Sequence, residues 1–409
     1  MLDQFYSDPL TLQRLRLGPL GPYIDAFAQQ LVTRGYAKYG GRHKIRSVAR
    51  FSQWLERRRH GVEDLDEQVV SAFLSRRRTG VSRRDAPPAL RMLLSLLRDA
   101  GIVRCAPVRE KTPLLGIEQH FTQYLSQVRG LSKPTTRNYL LVVCTFLTEH
   151  FGSTQITLDT LVLRDITRFI VHQKDRMSLP TVRLVITALR SFFRFLYERG
   201  EISRNLACSI PAVAQWRCSA VPKFLEPEHV ERLLESCDRA SLLGRRDYAV
   251  LLLLARLGLR AGEVVYMQLD DLDWERGELT VRGKSLRDDH LPIPWDVGDG
   301  LAEYLRHRPR CSSRRVFLRI NAPWQGFASS VIVCDIVRRA LVRAGLHPAR
   351  KGCHLLRHGL AVRMLRGSAS LAEIGEILRH QLPSTTEIYA KVDVAALRAL
   401  ALPWQGGEL

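Results

Sequence analysis

No CxxC pair occurs among the eight cysteines, at positions 105, 144, 208, 218, 237, 311, 334 and 353, and none of them clusters with histidine at metal-ligand spacing. A zinc module and a disulfide framework are therefore excluded, and the thiols suit a reducing compartment. Long apolar runs are missing too. Val250 to Leu254 is the most apolar stretch, and Arg256 ends it far short of a membrane span. The opening MLDQFYSDPL has neither the charged nor the apolar region of a signal peptide, so a cytoplasmic protein with no membrane partner is expected. No glycine-rich nucleotide loop stands out, and no cofactor is implied. Lysine is rare, at nine of 62 basic residues, a bias that a GC-rich genome produces by itself. Acidic residues are also short, 41 against those 62, which leaves a net charge of +21 and a pI near 10.2. Codon bias explains arginine over lysine but not basic over acidic, so the charge points to a polyanionic partner.

What is present is enough for more than one core: 409 residues, 45% of them hydrophobic, suggest two or three domains. Residues 1–110 read as helical, with apolar spacing through Tyr23, Ile24, Phe27 and Leu31, then Ile45, Val48, Phe51 and Leu55, then Val69, Val70, Phe73 and Leu74. Arginine clusters at 57–59 and 76–78 have two readings of equal weight, solvated helix ends or contacts to DNA phosphates. The region also matches the next one in part. Phe27 and Leu31 fall opposite Phe121 and Leu125, Arg42 and Phe51 opposite Arg137 and Phe146, and Ala89-Leu90-Arg91 with Gly101 opposite Ala188-Leu189-Arg190 with Gly200. Generic amphipathic helices give some such matches by chance, but the last coincidence favours a duplicate, a second unit of the kind that follows it.

Residues 111–211 form the next helical segment, with a helix start at Ser132-Lys133-Pro134 and an apolar stripe of Leu189, Phe192, Phe193 and Leu196. Residues 212–223, with a proline at either end of PAVAQWRCSAVPK, read as a linker, and residues 224–409 as a further domain. In it a helix through Tyr248 to Leu257 gives way to GLRAGE, and the alternation in 278–282 and 290–293 predicts a small antiparallel hairpin around Gly283-Lys284. Ser384 and Glu387 have capping-box spacing, which predicts a new helix carrying Tyr389 near its first turns. Asp270, Asp271 and Asp273 raise a two-metal alternative, but carboxylates this close together more often form a turn, and no metal site is expected.

The segment Cys353 to Asp393 gathers His354, Arg357, His358, His380 and Tyr389, with His354 and Arg357 three apart on one helical face. Any one of these alone is better read as a packing or satisfied polar residue. Arg260, Lys284, His354, Arg357, His380 and Tyr389, in that order, resemble the six-residue active site of the tyrosine recombinases, the phage-integrase-like family of site-specific DNA strand-exchange enzymes. The resemblance covers Phe224 to Asp393 well and Leu115 to Pro211 more loosely.

This resemblance implies a mainly α, multidomain fold: a helical, SAM-like core-binding bundle and an α+β catalytic domain with a small antiparallel sheet. It implies Tyr389 as the nucleophile forming a 3′-phosphotyrosyl link, Arg260 and Arg357 on the phosphate, His354 as base or hydrogen-bond partner, Lys284 as the acid for the leaving 5′ oxygen, and His380 supporting the scissile phosphate. Glu263 matches an acidic position that orients Arg260, and His358 is given a structural role. Arg379 departs from the family's usual glycine before the histidine. Double-stranded DNA is the implied partner, with a homo-tetramer on paired sites and companion recombinases; Lys133, Arg137, Arg183, Arg190 and Arg194 are candidate DNA contacts on the core-binding bundle, where a merely solvated face is the plain alternative. Integration, excision or transposition of a mobile element is the expected setting, with dimer resolution and topoisomerase-like relaxation as alternatives of the same chemistry. A non-catalytic DNA-binding scaffold or repressor is the alternative of another class.

Overall fold

The computed structural model describes residues 1–75, 82–103, 113–152, 156–212, 221–283 and 288–392, and for 82–85 the backbone alone. Two compact units hold them: one takes in the described residues of Met1–Cys105 and Cys218–Leu409, the other those of Ala106–Arg217.

The first part of the chain forms α1 (Pro9–Leu15), α2 (Ile24–Thr33), α3 (Lys38–Arg58), α4 (Glu67–Ser75) and α5 (Ser82–Asp99). Their apolar faces close on a core of their own, with Phe27, Phe51 and Leu97 fully buried. Within the same unit, Gly35 lies so close to Trp324 that a Cβ would come 2.7 Å from the indole, and its φ of +75° favours glycine on separate grounds.

The middle unit is a second bundle of α6 (Pro113–Gln123), α7 (Lys133–Phe151), α8 (Leu163–Lys174), α9 (Leu179–Glu198) and the short α10 (Leu206–Ser209). Leu189, Phe192, Phe193 and Leu196 are all buried on α9, as their spacing predicts. Most of the expected linker, residues 213–220, lies outside the described residues.

The last part is built around α12 (Leu242–Arg256), whose residues Ala249 to Ala255 are all buried. A helix apolar all round must be covered on every side, and α11 (Pro227–Glu235), α13 (Ala261–Tyr266), α14 (Trp295–His307), α15 (Ser330–Arg343) and α16 (His354–Arg366) pack against it directly or share its core. Between α13 and α14 sits an antiparallel sheet of β1 (Leu272–Asp273), β2 (Glu278–Arg282) and β3 (Asp288–Pro292), in that order, with Leu279 opposite Leu291 and Thr280 opposite His290. The predicted hairpin is thus present, and Leu279 and Val281 are its buried alternate residues. Lys284 lies outside the described residues.

After α16, α17 (Leu371–Ile377) packs with it over Leu360, Ala361, Ile374 and Leu378. The capped helix expected from Ser384 and Glu387 is replaced by two 3-10 turns, Pro383–Thr385 and Glu387–Val392. Their bonds run from i+3 back to i, such as Tyr389 N–H to the Thr386 carbonyl at 3.0 Å. No helix among the described residues is long and apolar enough to cross a membrane.

Candidate active site

The site starts where α12 stops. Gly258 adopts φ +58°, which ends the helix and brings the chain against α16 and α17, where a Cβ would meet Leu378 and Leu360 at 2.7 and 2.9 Å. Its carbonyl and that of Leu378 both accept from the Arg357 guanidinium. Arg357 is only 4% exposed, so these two bonds fix its plane in a dry setting. Burial, followed by the charges of Arg260 and Arg379, lowers its pKa to about 10, still charged at neutral pH.

Two residues on, Arg260 caps α13. Its backbone N–H donates to Glu263 Oε2 at 2.7 Å, its Nη1 to Glu263 Oε1 at 2.8 Å and its Nη2 to the Arg379 carbonyl at 2.9 Å. Glu263 therefore holds Arg260 at both ends. Burial on its own would raise the Glu263 pKa, but the Arg379 charge and the bonds from Arg260 outweigh it and keep the carboxylate below its usual range.

Arg379 occupies the left-handed region at φ +54°, closing a Schellman turn in which its N–H reaches the Glu376 carbonyl and the His380 N–H reaches Gly375 at 2.9 Å. Its side chain folds inward, 6% exposed, and pairs with Glu263 at 2.8 Å, with Asp289 of β3 at 3.9 Å from its Nε. The departure from glycine thus adds a third guanidinium beside Arg260 and Arg357 without displacing His380.

Two histidines, His358 and His380, face the tyrosine, and His354 lies beside His358. His354 begins α16 with its pKa lowered by burial, then by Arg357 and Arg260. His380 is tied through Nδ1 to the Thr386 hydroxyl at 2.7 Å, and burial with the Arg357 and Arg260 charges brings it to about 4. His358 lies 2.8 Å through Nδ1 from the Tyr389 hydroxyl, and burial, His354 and Arg357 bring it to about 4 as well. Tyr389 is 1% exposed between α16 and α17, and burial pushes its pKa up to about 12 although Arg357 pulls the other way. In the neutral tautomer that carries its proton on Nε2, His358 would have Nδ1 free to accept the phenolic proton.

Five of the six expected residues, Arg260, His354, Arg357, His380 and Tyr389, therefore converge, and the sixth, Lys284, falls outside the described residues between β2 and β3. His358, read from the sequence as structural, makes the hydrogen bond to Tyr389; the signal for it was its place one turn after His354 on the same helix. The three aspartates are each engaged elsewhere, Asp270 pairing with Arg314, Asp271 with Arg282 at 2.8 Å, and Asp273 accepting from two turn N–H groups. On the middle bundle Lys133, Arg137 and Arg194 are exposed, Arg183 is half-buried, and Arg190 donates to the Ile210 carbonyl at 2.6 Å.

Three guanidiniums, one carboxylate and a buried phenol gathered in one place are groups able to bind a phosphate diester and attack it. Comparisons with known proteins agree with that chemistry. Residues 223–395 match the model of the phage integrase family, and residues 119–200 that of the phage integrase N-terminal SAM-like domain. A Sinorhizobium fredii protein named as integrase/recombinase y4rA is 44% identical over 99% of both chains. The tyrosine recombinase XerA of Pyrococcus furiosus is 31% identical over 71% of this chain and 94% of its own. Among solved structures, XerH site-specific recombinase bound to palindromic difH substrate shares the fold with a TM-score of 0.55 at 20% identity, over 72% of this chain and 88% of that one. The Tn1549 transposon integrase in complex with circular intermediate DNA does so with a TM-score of 0.50 at 16% identity, over 70% and 99%.

Proposed function

This chain belongs to the phage integrase family, the tyrosine recombinases, which are DNA strand-transferring enzymes, and from that membership we propose that Tyr389 is the nucleophile with which it cuts and rejoins duplex DNA. The observation that carries this reading is the Tyr389 hydroxyl held by His358 beside the buried Arg357. In the reaction the phenolic oxygen attacks a backbone phosphorus in line, the phenolic proton passes to a neighbouring base, and the bond to the 5′ oxygen breaks. The products are a 3′-phosphotyrosyl link and a free 5′ hydroxyl, and rejoining runs the same steps backwards. Arg260 and Arg357 meet the charge on the nonbridging oxygens, His354 serves as base or hydrogen-bond partner, His380 supports the scissile phosphate, and Lys284 supplies the proton for the departing oxygen.

Mobile-element integration or excision is the setting we favour, because the full-length relative is named as an integrase and a transposon integrase shares the fold. Assembly would be as a tetramer on paired sites, with Lys133, Arg137, Arg183, Arg190 and Arg194 on the side of the middle bundle turned to DNA. The test is covalent trapping on a nicked duplex from the sequence flanking its own gene, in excess chelator. Wild-type protein should form an adduct there, since charge is met by guanidiniums and not by a metal, and Tyr389→Phe should form none while binding as before. Loss of the adduct under chelation, or an adduct with Tyr389→Phe, overturns the assignment.

A further inference from the structure

The region before residue 105 is matched by neither family model, yet it has the anatomy of the bundle that follows it. Four helices come in the same order, and among the described residues they span 10, 21, 9 and 18 residues for α2 to α5 and 11, 19, 12 and 20 for α6 to α9, with α6 running on into a π-helical turn at Tyr124–Val128. Corresponding residues are buried in both. Phe51 and Phe146 stand 95 apart, Phe73 and Phe169 96 apart, and Leu97 and Leu196 99 apart, so the register slips only in the connections between helices.

The turns agree more closely still. Gly35 and Gly130 both have positive φ, +75° and +60°, and the residue after each bonds back to the preceding helix, Tyr36 N–H to the Leu31 carbonyl and, past a π-helical turn and so one residue further, Leu131 N–H to the Leu125 carbonyl. Gly101 and Gly200 have φ +70° and +73°, and the residue after each bonds back to the carbonyls of Leu97 and Leu196 at 2.9 and 3.0 Å. Amphipathic helices recur by chance, but the same left-handed glycines at the same two joints do not follow from amphipathicity.

The copies differ in charge. α3 carries seven Lys or Arg and one acid, Glu56, where its counterpart α7 carries Lys133 and Arg137 with Glu149. Lys38, Arg46, Arg50 and Arg57 are exposed, and with Arg42 they fall within a third of the helix circumference. Over 19 residues that strip is about 28 Å long at 1.5 Å per residue. Arg42 and Arg46 are steadied by the Tyr6 ring at 5.3 and 5.9 Å.

We propose that residues 21–103 are a second core-binding-type bundle and that the basic face of α3 is a second contact for the duplex DNA backbone. The inference rests on the recombinase reading above for the nature of the partner. Cations repeated along one rigid face suit a polymer of spaced phosphates, and they outnumber the one acid, Glu56, that shares the arc with the exposed Tyr39.

The experiment uses the full chain and a duplex of arbitrary sequence, and it reads the dependence of binding on salt. Each phosphate contact contributes about 0.9 to the slope of log K against log salt, so replacing Lys38, Arg46, Arg50 and Arg57 by Gln should lower its magnitude by about three to four. If the fourfold variant does not fold, Arg50→Gln with Arg57→Gln should lower it by about two. An unchanged slope overturns the proposal and makes this bundle a protein-contact or stabilising element. Trapping by Tyr389 is scored in parallel: normal trapping with an unchanged slope sinks only the second contact, and a lowered slope in a protein that never traps DNA sinks only the recombinase reading.

Discussion

His358 and Tyr389 are 31 residues apart in the chain, and a hydrogen bond joins them where burial sets the protonation states of both. A phenol pushed up to about 12 stays protonated at neutral pH and needs an acceptor, while a histidine at about 4 is neutral and can be one. The same shifts make stability depend on pH. His358 and His380 titrate near 6.5 when unfolded and near 4 when folded, so between those values the unfolded chain takes up protons that the folded one refuses. The stability they allow is full above about 6.5 and is lost as pH falls toward about 4. A melting temperature followed over that window should decline, and His358→Gln, which cannot titrate, should decline less steeply; an equal decline in both would place the protons elsewhere. In the sequence the order of the charged residues carried the identity of Arg260, Arg357, His354, His380 and Tyr389. What His358 touches was not legible, because only the packing of the 3-10 turns against α16 brings the tyrosine to it.

At the level of elements, the end of α17 shows how a local rule can be broken and the break compensated. A left-handed residue after a helix is ordinarily glycine, and Arg379 accepts that conformation while its guanidinium reaches Glu263, 116 residues away. Arg379→Gly and Arg379→Ala both remove the ion pair, but only alanine keeps the cost of a Cβ at positive φ. Urea denaturation should therefore find the glycine variant more stable than the alanine variant by about 1 kcal/mol. Equal values would mean that the turn relaxes when the pair is gone. That position 379 departs from the family pattern could be read from the sequence; where the side chain goes could not, since its partner lies on α13. The hairpin was legible from its alternation, whereas Ser384 and Glu387 misled, because a capping-box spacing does not specify whether i+3 or i+4 bonds follow.

For the whole molecule, two compact units predict unfolding in more than one step. Phe192 is fully buried in the middle bundle, and Phe192→Ala should cost that unit about 3–5 kcal/mol. Calorimetry should show one transition moving down and another staying in place; a single transition that shifts as a whole would mean that the units unfold together. The helical character of the described residues before 104 was legible in the pattern of Phe, Leu and Gly, and so was the likeness to the next hundred on which the proposed second bundle rests. The grouping of the described residues of Met1–Cys105 with the catalytic part was not, because a contact such as Gly35 against Trp324 leaves no periodic trace.

On the proposal that the two bundles are copies, the paired glycines at 35 and 130, and at 101 and 200, also bear on history. Between the two bundles the core has been rewritten, with Leu93 and Leu94 standing where Phe192 and Phe193 stand, and the surface of α3 has gathered charge. The joints have kept their handedness throughout. A side chain in a core can be exchanged when its neighbours adjust, but a joint at positive φ has one low-cost solution, so descent is recorded more durably in the punctuation of this chain than in its vocabulary.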